Sequence, residues 1–473
     1  MSTVDTMQIF RWPNPIPTVL PWGTMDGMDE KASQVPGGGD GEAGAGRDDS
    51  VAVRSMTVRG AAFLGVGSMV GAGIFALLGE AGAVAGSAVW VSFLLAGIVA
   101  TLQGYAVAKL GARYPSSGGI VTFLLQAYGR GHTTAIASWL LYFAALIVTA
   151  MVAVSFGSYG AALFFDDSVV WGKVLTAAVI VLVVAVNIAG ATFIDRVQTT
   201  IVVLLLAVFA VFIVVTLADL EPALLAPSTY PPTVDIVSSV ALTFFAYLGF
   251  TVVSFTGGDL PDPHRNLPRA MYLSLGITVT LYILISVGVF GTLPVDEVIA
   301  HGETALAVAA QPALGDAGFA IMALAALLAT SSSVNANLFA AAGSTRKLAE
   351  SGMFPPVFGR RAWVGGTRGL TISAALILVL ALSVDLSAIA SLGSVVALAI
   401  FLVTSIGAFR LRREIAAATG ILVTGIALTV IVLVVFVVQT LRTAPQTFAA
   451  MVATLGLAIV LELIWSRIRA HRK

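Results

Sequence analysis

From Val58 onward the chain is organised into twelve long apolar runs, each close to the length a helix needs to cross a bilayer. They lie near 58–80, 83–110, 133–162, 169–190, 195–218 and 234–258, then near 268–292, 312–345, 369–385, 387–410, 415–440 and 445–468. A shorter stretch at 118–130 predicts a helix lying on the cytoplasmic surface of the membrane. Residues 1–50 have a different pattern, with PNPIP, PGGG, GEAGAG and the acids Asp26, Asp29, Glu30, Asp40, Glu42, Asp48 and Asp49. That composition predicts a disordered cytoplasmic tail. It carries no basic segment ahead of an apolar one, so it does not read as a signal peptide.

The first and sixth runs are interrupted, by GSMVGAG at 67–73 and AYLGFT at 246–251. If 58–218 and 234–410 are two five-helix repeats, the interruptions fall at the same place in each. An odd number of spans per repeat requires the second to be inverted. The segment 415–468 then supplies two additional transmembrane helices. Broken helices at matching positions of two repeats point to the binding site of a secondary transporter. The expected fold is an all-α polytopic membrane protein of about twelve transmembrane helices.

Composition agrees with this pattern. Of the 473 residues, 58% are hydrophobic and only 11% charged, against ~25% charged in a soluble domain. Too few charges are present to cover a soluble exterior, which excludes a soluble enzyme, a disordered chain and a collagen. The absence of cysteine removes disulfides, thiol nucleophiles and Cys-ligated metals. Net charge is zero, but its distribution is not even. A cytoplasmic N-terminus places Lys109, Arg113, Arg130, Arg196, Arg265, Arg269, Arg346, Lys347, Arg360, Arg361, Arg368, Arg410, Arg412 and Arg413 inside. It leaves only Lys173 and Arg442 outside. The positive-inside rule therefore predicts a multi-pass cell-membrane protein with both termini cytoplasmic.

Gly67, Gly71 and Gly73 sit inside a helix that would otherwise be continuous. A break there frees N–H groups that suit a carboxylate and carbonyls that suit an ammonium or a small cation. The other reading of the same glycines is a close helix-packing face. No Asp, Glu, Lys or Arg lies near the middle of any predicted run. His132, His264 and His301 fall in predicted loops with no ligand spacing, so neither a metal site nor a cofactor is expected. His301 and Glu303 read as solvated residues on the outer side.

GSMVGAGIF (67–75) resembles the first-helix signature of the amino acid–polyamine–organocation (APC) superfamily, and YPSSGG (114–119) its loop after helix two. FFAYLGFTVVSFTGGDLPDPHRNLPRA (244–270) is similar to its sixth-helix region, with Asp259 as the acid and Asp262-Pro263 in place of Asn-Pro. STRKLAESGMFP (344–355) resembles the basic loop after helix eight. The matches run in order over about 58–410, while the last two helices fit by hydropathy only.

The resemblance implies a permease whose substrate carboxylate meets the backbone at Gly71, Ala72 and Gly73. It implies that the substrate's amino group meets the carbonyls of Met69, Phe245 and Leu248. The Phe245 ring, with Phe244 and Tyr247 beside it, would act as a gate. Thr251 stands where many members carry an acid, which favours neutral amino acids over arginine, lysine or polyamines. Leucines near 204–205 replace the helix-five lysine of proton-coupled members. Ser332 and Ser333 in ATSSSVNAN resemble the hydroxyl ligands of sodium-coupled ones, so the coupling ion (Na+ or H+) and uncoupled exchange both stay open. Asp259 could pair with Arg265, Arg269 or Arg346 as an inner gate.

The expected partners are an amino acid and the lipid bilayer, with no nucleic acid. The alternatives are a cationic amino acid or polyamine permease of the same fold and, from another class, a channel or sensor. A membrane-embedded enzyme would need a nucleophile or paired carboxylates within the spans, and none is there.

Overall fold

The computed structural model describes residues 56–116, 118–189, 194–360 and 367–471; the predicted tail at 1–50 lies outside the described residues. The regular elements are all helical. In lipid, a segment must satisfy its own backbone, and each apolar run does so as a helix.

The first run divides into α1 (Val58–Ala72) and α2 (Ile74–Ala85), followed by α3 (Val89–Arg113). The predicted surface helix is α4 (Ile120–Tyr128). The third to fifth runs are α5 (His132–Phe164), α6 (Val169–Ala189) and α7 (Ile194–Ala218). The sixth run is α8 (Thr233–Ala246) and α9 (Thr251–Phe255), joined by a 3₁₀ turn at Leu248–Phe250. Then come α10 (Pro263–Thr292), two short helices α11 (Val295–His301) and α12 (Ala305–Val308), and α13 (Gln311–Glu350). The chain continues through α14 (Arg368–Ser383), α15 (Leu386–Arg410), α16 (Thr419–Thr443) and α17 (Pro445–Ala470). Ten helical stretches are long and apolar enough to cross a membrane, and Val58–Ala72 and Arg368–Ser383 are shorter apolar helices. Together they account for the twelve predicted runs.

Local sequence sets the helix ends. The Thr57 hydroxyl caps α1 by accepting from the Gly60 N–H at 3.0 Å, and Thr367 caps α14 through the Leu370 N–H at 3.3 Å. Proline opens α10, α13 and α17, where its missing N–H is no loss. α13 is bent at Gly315, whose φ of 65° lies outside the helical range.

Among the central helices, α2 lies on α8, α3 on α10, and α5 on α13. Small residues permit the close approaches. A Cβ on Gly157 of α5 would lie 2.3 Å from the Gly172 carbonyl of α6. Polar side chains tie the outer helices on. Gln103 is fully buried; its Nε2 donates to Thr429 Oγ1 at 2.6 Å and to the Gly425 carbonyl at 3.3 Å, and its Oε1 accepts from Ser405 Oγ. This joins α3 to α15 and α16. On α17, Glu462 is 1% exposed, accepts from Arg469 at 2.8 Å and lies 3.3 Å from His132 of α5. One turn on, the Trp465 indole donates to the Gly352 carbonyl at 3.0 Å. Elsewhere α6, α16 and α17 present exposed Val181, Leu182, Val434 and Leu463, as lipid-facing helices do.

Candidate functional site

The two interrupted helices touch at their breaks. In the first, the interruption is confined to Gly73 (φ −101°, ψ −73°), since α1 stays helical through Ala72. It is therefore narrower than the 67–73 stretch read from the sequence. The Gly73 N–H donates to the Met69 carbonyl at 2.7 Å. The Tyr282 hydroxyl of α10 donates to the same carbonyl at 2.6 Å and lies 3.2 Å from the Ala246 carbonyl at the end of α8. One phenol thus bridges both broken helices. Two glycines make the junction possible. A Cβ on Gly249 would come within 2.4 Å of the Met69 nitrogen, and one on Gly73 within 2.3 Å of the Tyr282 hydroxyl.

A cavity of ≈ 80 Å³ opens beside this junction, between the breaks and α5, α13 and α15. That is several times the ~10–15 Å³ of such space that a single water requires. Ser68 and Ala72 line it from α1, Leu248, Gly249 and Thr251 from the sixth run, and Ser138 and Tyr142 from α5. Asn337 and Ser344 come from α13 and Phe401 from α15. Among the described residues, no charged side chain lines it. The Thr251 hydroxyl donates to the Leu248 carbonyl at 3.0 Å, Tyr142 shares a hydrogen bond with Ser373 at 3.0 Å, and Asn337 Nδ2 donates to Ser333 Oγ at 3.1 Å.

Of the residues assigned to substrate from the sequence, Ala72, Leu248 and Thr251 line this cavity. Met69, Gly71, Gly73 and Phe245 do not. The Met69 carbonyl, expected to meet an ammonium, already accepts two hydrogen bonds. Gly71 faces α13, where a Cβ would lie 2.6 Å from the Ala329 carbonyl and 2.8 Å from Ser333 Cβ. Ser333, one of the two expected ion ligands, is thereby brought against helix one; Ser332 is its neighbour in α13. Phe245 is buried and lies flush on α15, its ring 2.2 Å from where a Gly393 Cβ would be. Asp259 forms no ion pair with Arg265, Arg269 or Arg346: it is exposed, its backbone carbonyl accepts from the Met56 N–H, and Arg346 instead approaches Glu350 at 4.0 Å. Arg196 and Arg361 have no described side chain.

Tyr282, Ser138, Tyr142 and Asn337 were not assigned from sequence. Ser138 and Tyr142 are four apart and so share a helix face, and that polar stripe in an apolar run was the available signal. Tyr282 gave none.

On the face opposite α4, the short helices α11 and α12 with the turn between them form a cap. Gly302 of that turn abuts Gly79 of α2, so closely that a Cβ on Gly79 would be 2.1 Å from the Gly302 oxygen. His301 is exposed as expected, but Glu303 is not solvated: it is partly buried, and Ser158 Oγ of α5 donates to its carboxylate. Burial pushes the Glu303 carboxyl above the usual carboxylate range; the Ser158 hydrogen bond works against this, and the charges of Glu80 and Asp167 add to it. Among the described residues, no three His, Cys, Asp or Glu side chains are grouped to hold a metal ion.

Two helices broken at one junction, a small uncharged cavity beside it and a bundle of membrane-crossing helices define a membrane transporter, and the chain belongs to the amino acid permease family, whose model matches residues 56–461. It is 32% identical to the inner membrane transport protein YbaT of Escherichia coli (strain K12), over 85% of this chain and 94% of the relative. It is 29% identical to the serine/threonine exchanger SteT of Bacillus subtilis (strain 168), over 54% of this chain and 58% of the relative. It is 26% identical to the branched-chain amino acid permease BcaP of the same strain, over 49% and 53%.

Proposed function

We propose that the protein moves small neutral amino acids across the cell membrane by alternating access, with the cavity beside the broken helices as its substrate site. The observation that carries this is the lining of that cavity. Hydroxyls, one amide and backbone at the breaks can meet the two charged ends of a zwitterion, while no side chain offers a counter-charge to a third. Bringing an unpaired side-chain charge into such a site costs several kcal/mol. This disfavours arginine, lysine and polyamines. The names of the serine/threonine exchanger and the branched-chain permease agree with a neutral substrate.

The pairing of α2 with α8, α3 with α10 and α5 with α13 supports two inverted five-helix repeats, over 58–218 and 234–410. The Lys/Arg distribution supports cytoplasmic termini, so that the face bearing α4 is the inner one and the cap the outer one. Ser333, against helix one, and its neighbour Ser332 are the assigned position for a coupling Na+; replacing external Na+ with choline tests this, and unchanged uptake removes it. The gate at Phe245 is read as closed, its ring packed on Gly393.

Uptake of labelled alanine, serine and leucine into proteoliposomes tests the main reading. Saturable uptake competed by neutral amino acids and not by arginine or putrescine is expected. Better competition by arginine or putrescine overturns it in favour of a cationic substrate, and an absence of saturable uptake favours a channel or sensor.

A further inference from the structure

Phe255 and α4 meet in the lining of the substrate cavity. Phe255 is the last residue of α9, Ile120 is the first of α4, and both line the cavity. The contact is made at Gly119. A Cβ there would lie 2.7 Å from Phe255 Cε1, 2.9 Å from Cδ1 of the same ring and 2.9 Å from Ser254 Oγ. The ring therefore rests on bare backbone, and the φ of 52° at Gly119 is one that glycine adopts readily.

The two sides of this contact are held in different ways. α4 is fastened to its neighbours at its far end. The Tyr128 hydroxyl donates to the Val403 carbonyl of α15 at 2.7 Å, and the Arg410 guanidinium lies 4.9 Å from the centre of the Tyr128 ring. Thr134 of α5 donates to the Gly129 carbonyl, just after α4, at 2.7 Å. α9, by contrast, is five residues long and lies between two 3₁₀ turns, Leu248–Phe250 and Thr256–Gly258. Short 3₁₀ stretches inside a helical run are where hinges occur. Its hydroxyls are used inside the segment: Thr251 donates to the Leu248 carbonyl at 3.0 Å, Ser254 to that of Thr251 at 2.6 Å, and Thr256 to that of Val253 at 2.8 Å. The segment takes these bonds with it when it moves.

We propose that Phe255 is the inner door of the cavity, with α4 as its fixed sill. Turning of α9 about its two 3₁₀ turns lifts the ring from Gly119 and opens the cavity on the face bearing α4. The motion breaks none of the three hydroxyl bonds, and what it gives up is apolar packing. Asp259, expected from the sequence to lock an inner gate by ion pairing, is exposed and makes no ion pair with Arg265, Arg269 or Arg346; its carbonyl accepts from the Met56 N–H at 2.9 Å, just before α1. The start of the first broken helix is thus joined to the end of the door. Closure held by apolar contact is not screened by salt, whereas closure held by an exposed ion pair is.

The inference rests on the alternating-access reading with α4 on the inner side, but its test needs no substrate. The chain contains no cysteine, so Ala145→Cys, in the cavity lining on α5, gives a single reporter in the full-length protein. Its labelling by a membrane-impermeant methanethiosulfonate is measured in inside-out and in right-side-out vesicles, each at low and high KCl. Adding Phe255→Ala is expected to speed labelling from the inner side about tenfold, equivalent to ~1.4 kcal/mol of closing free energy, without speeding it from the outer side. Phe255→Leu, which keeps an apolar side chain in place, should fall between, and the ratios should be the same at both salt concentrations. Inner-side labelling unchanged or absent in both variants overturns the proposal. An equal rise from both sides also overturns it, since Phe255 would then only stabilise the fold, and so does a ratio that falls to one at high KCl, which would show an ion pair to be the lock. Saturable amino acid uptake with labelling indifferent to Phe255 defeats this inference alone. Labelling that depends on Phe255 without any uptake defeats the transport reading alone.

Discussion

The hydroxyl of Tyr282 lies 2.6 Å from the carbonyl oxygen of Met69, across 213 positions of sequence, and bonds a broken helix to a span that is not broken. Ala246, 3.2 Å away on the other side of that hydroxyl, brings in the second broken helix. The junction of the two breaks is thus closed by a protein group and needs no ligand to satisfy it.

Tyr282→Phe keeps the ring, which packs edge-on against Phe93, and removes the bridge. Two buried carbonyls lose a donor, at a cost of about 1–3 kcal/mol. A lowered melting temperature in detergent is expected, with the protein still monodisperse. Unchanged stability would show the bridge to be dispensable.

Gly73→Ala places a methyl 2.3 Å from that hydroxyl and 2.5 Å from the Ala246 carbonyl. It should destabilise the protein by about 1–3 kcal/mol, as overpacking does, and combining it with Tyr282→Phe should cost less than the sum of the two. Gly276→Ala, in the same α10 helix as Tyr282, meets nothing within 4 Å and serves as the control. It is expected to gain roughly 0.5–1 kcal/mol from helix propensity. Thermal melts of the four variants decide. Strict additivity would place the Gly73 methyl elsewhere.

Thr251→Asp introduces a carboxylate into the cavity lining. Competition for uptake of a labelled neutral amino acid should shift toward arginine and lysine, by tenfold or more if a charged pair is worth at least ~1.4 kcal/mol. An unaltered selectivity would put the Thr251 side chain outside substrate reach.

Gln103→Leu removes the amide joining α3, α15 and α16, and leaves Ser405 without its buried acceptor. A loss of about 1–3 kcal/mol is expected, read as earlier thermal unfolding. Because Gln103 Nε2 keeps the Gly425 carbonyl at 3.3 Å when the Thr429 hydroxyl is removed, and Oε1 keeps Ser405, Thr429→Val should cost less than Gln103→Leu.

How much of this could be read in advance depends on which physical signal each feature leaves. The runs were legible because hydropathy over twenty residues is a local property, and a helix stands at Ile120–Tyr128 within the stretch 118–130. The sixth-run break was legible to its turn, since Leu248, Gly249 and Thr251 fall inside AYLGFT. The first was overestimated: Gly67 and Gly71 are helical, and the missing side chain of Gly71 serves its contact with α13. Side-chain direction was much less accessible. Where a helix is apolar on every face, periodicity does not say which residue points inward, so Phe245 could be placed in its helix and not against Gly393. Tyr282 could not be found, because its acceptors are 36 and 213 residues away. Glu303 read as an ordinary loop acid because its burial comes from α2 and α5, which a loop sequence does not contain.

The last helix shows what a few polar atoms decide in such a molecule. α17 is oily around most of its circumference, and only 17% of its most apolar window is buried. Dispersion against α5, α15 and α16 varies little as a cylinder of that kind turns about its axis. The contacts of Glu462 with His132 of α5, and of Trp465 with Gly352, are each satisfied at one azimuth. They act as a key in a slot, giving the helix a single rotational register that greasy packing alone would leave undetermined.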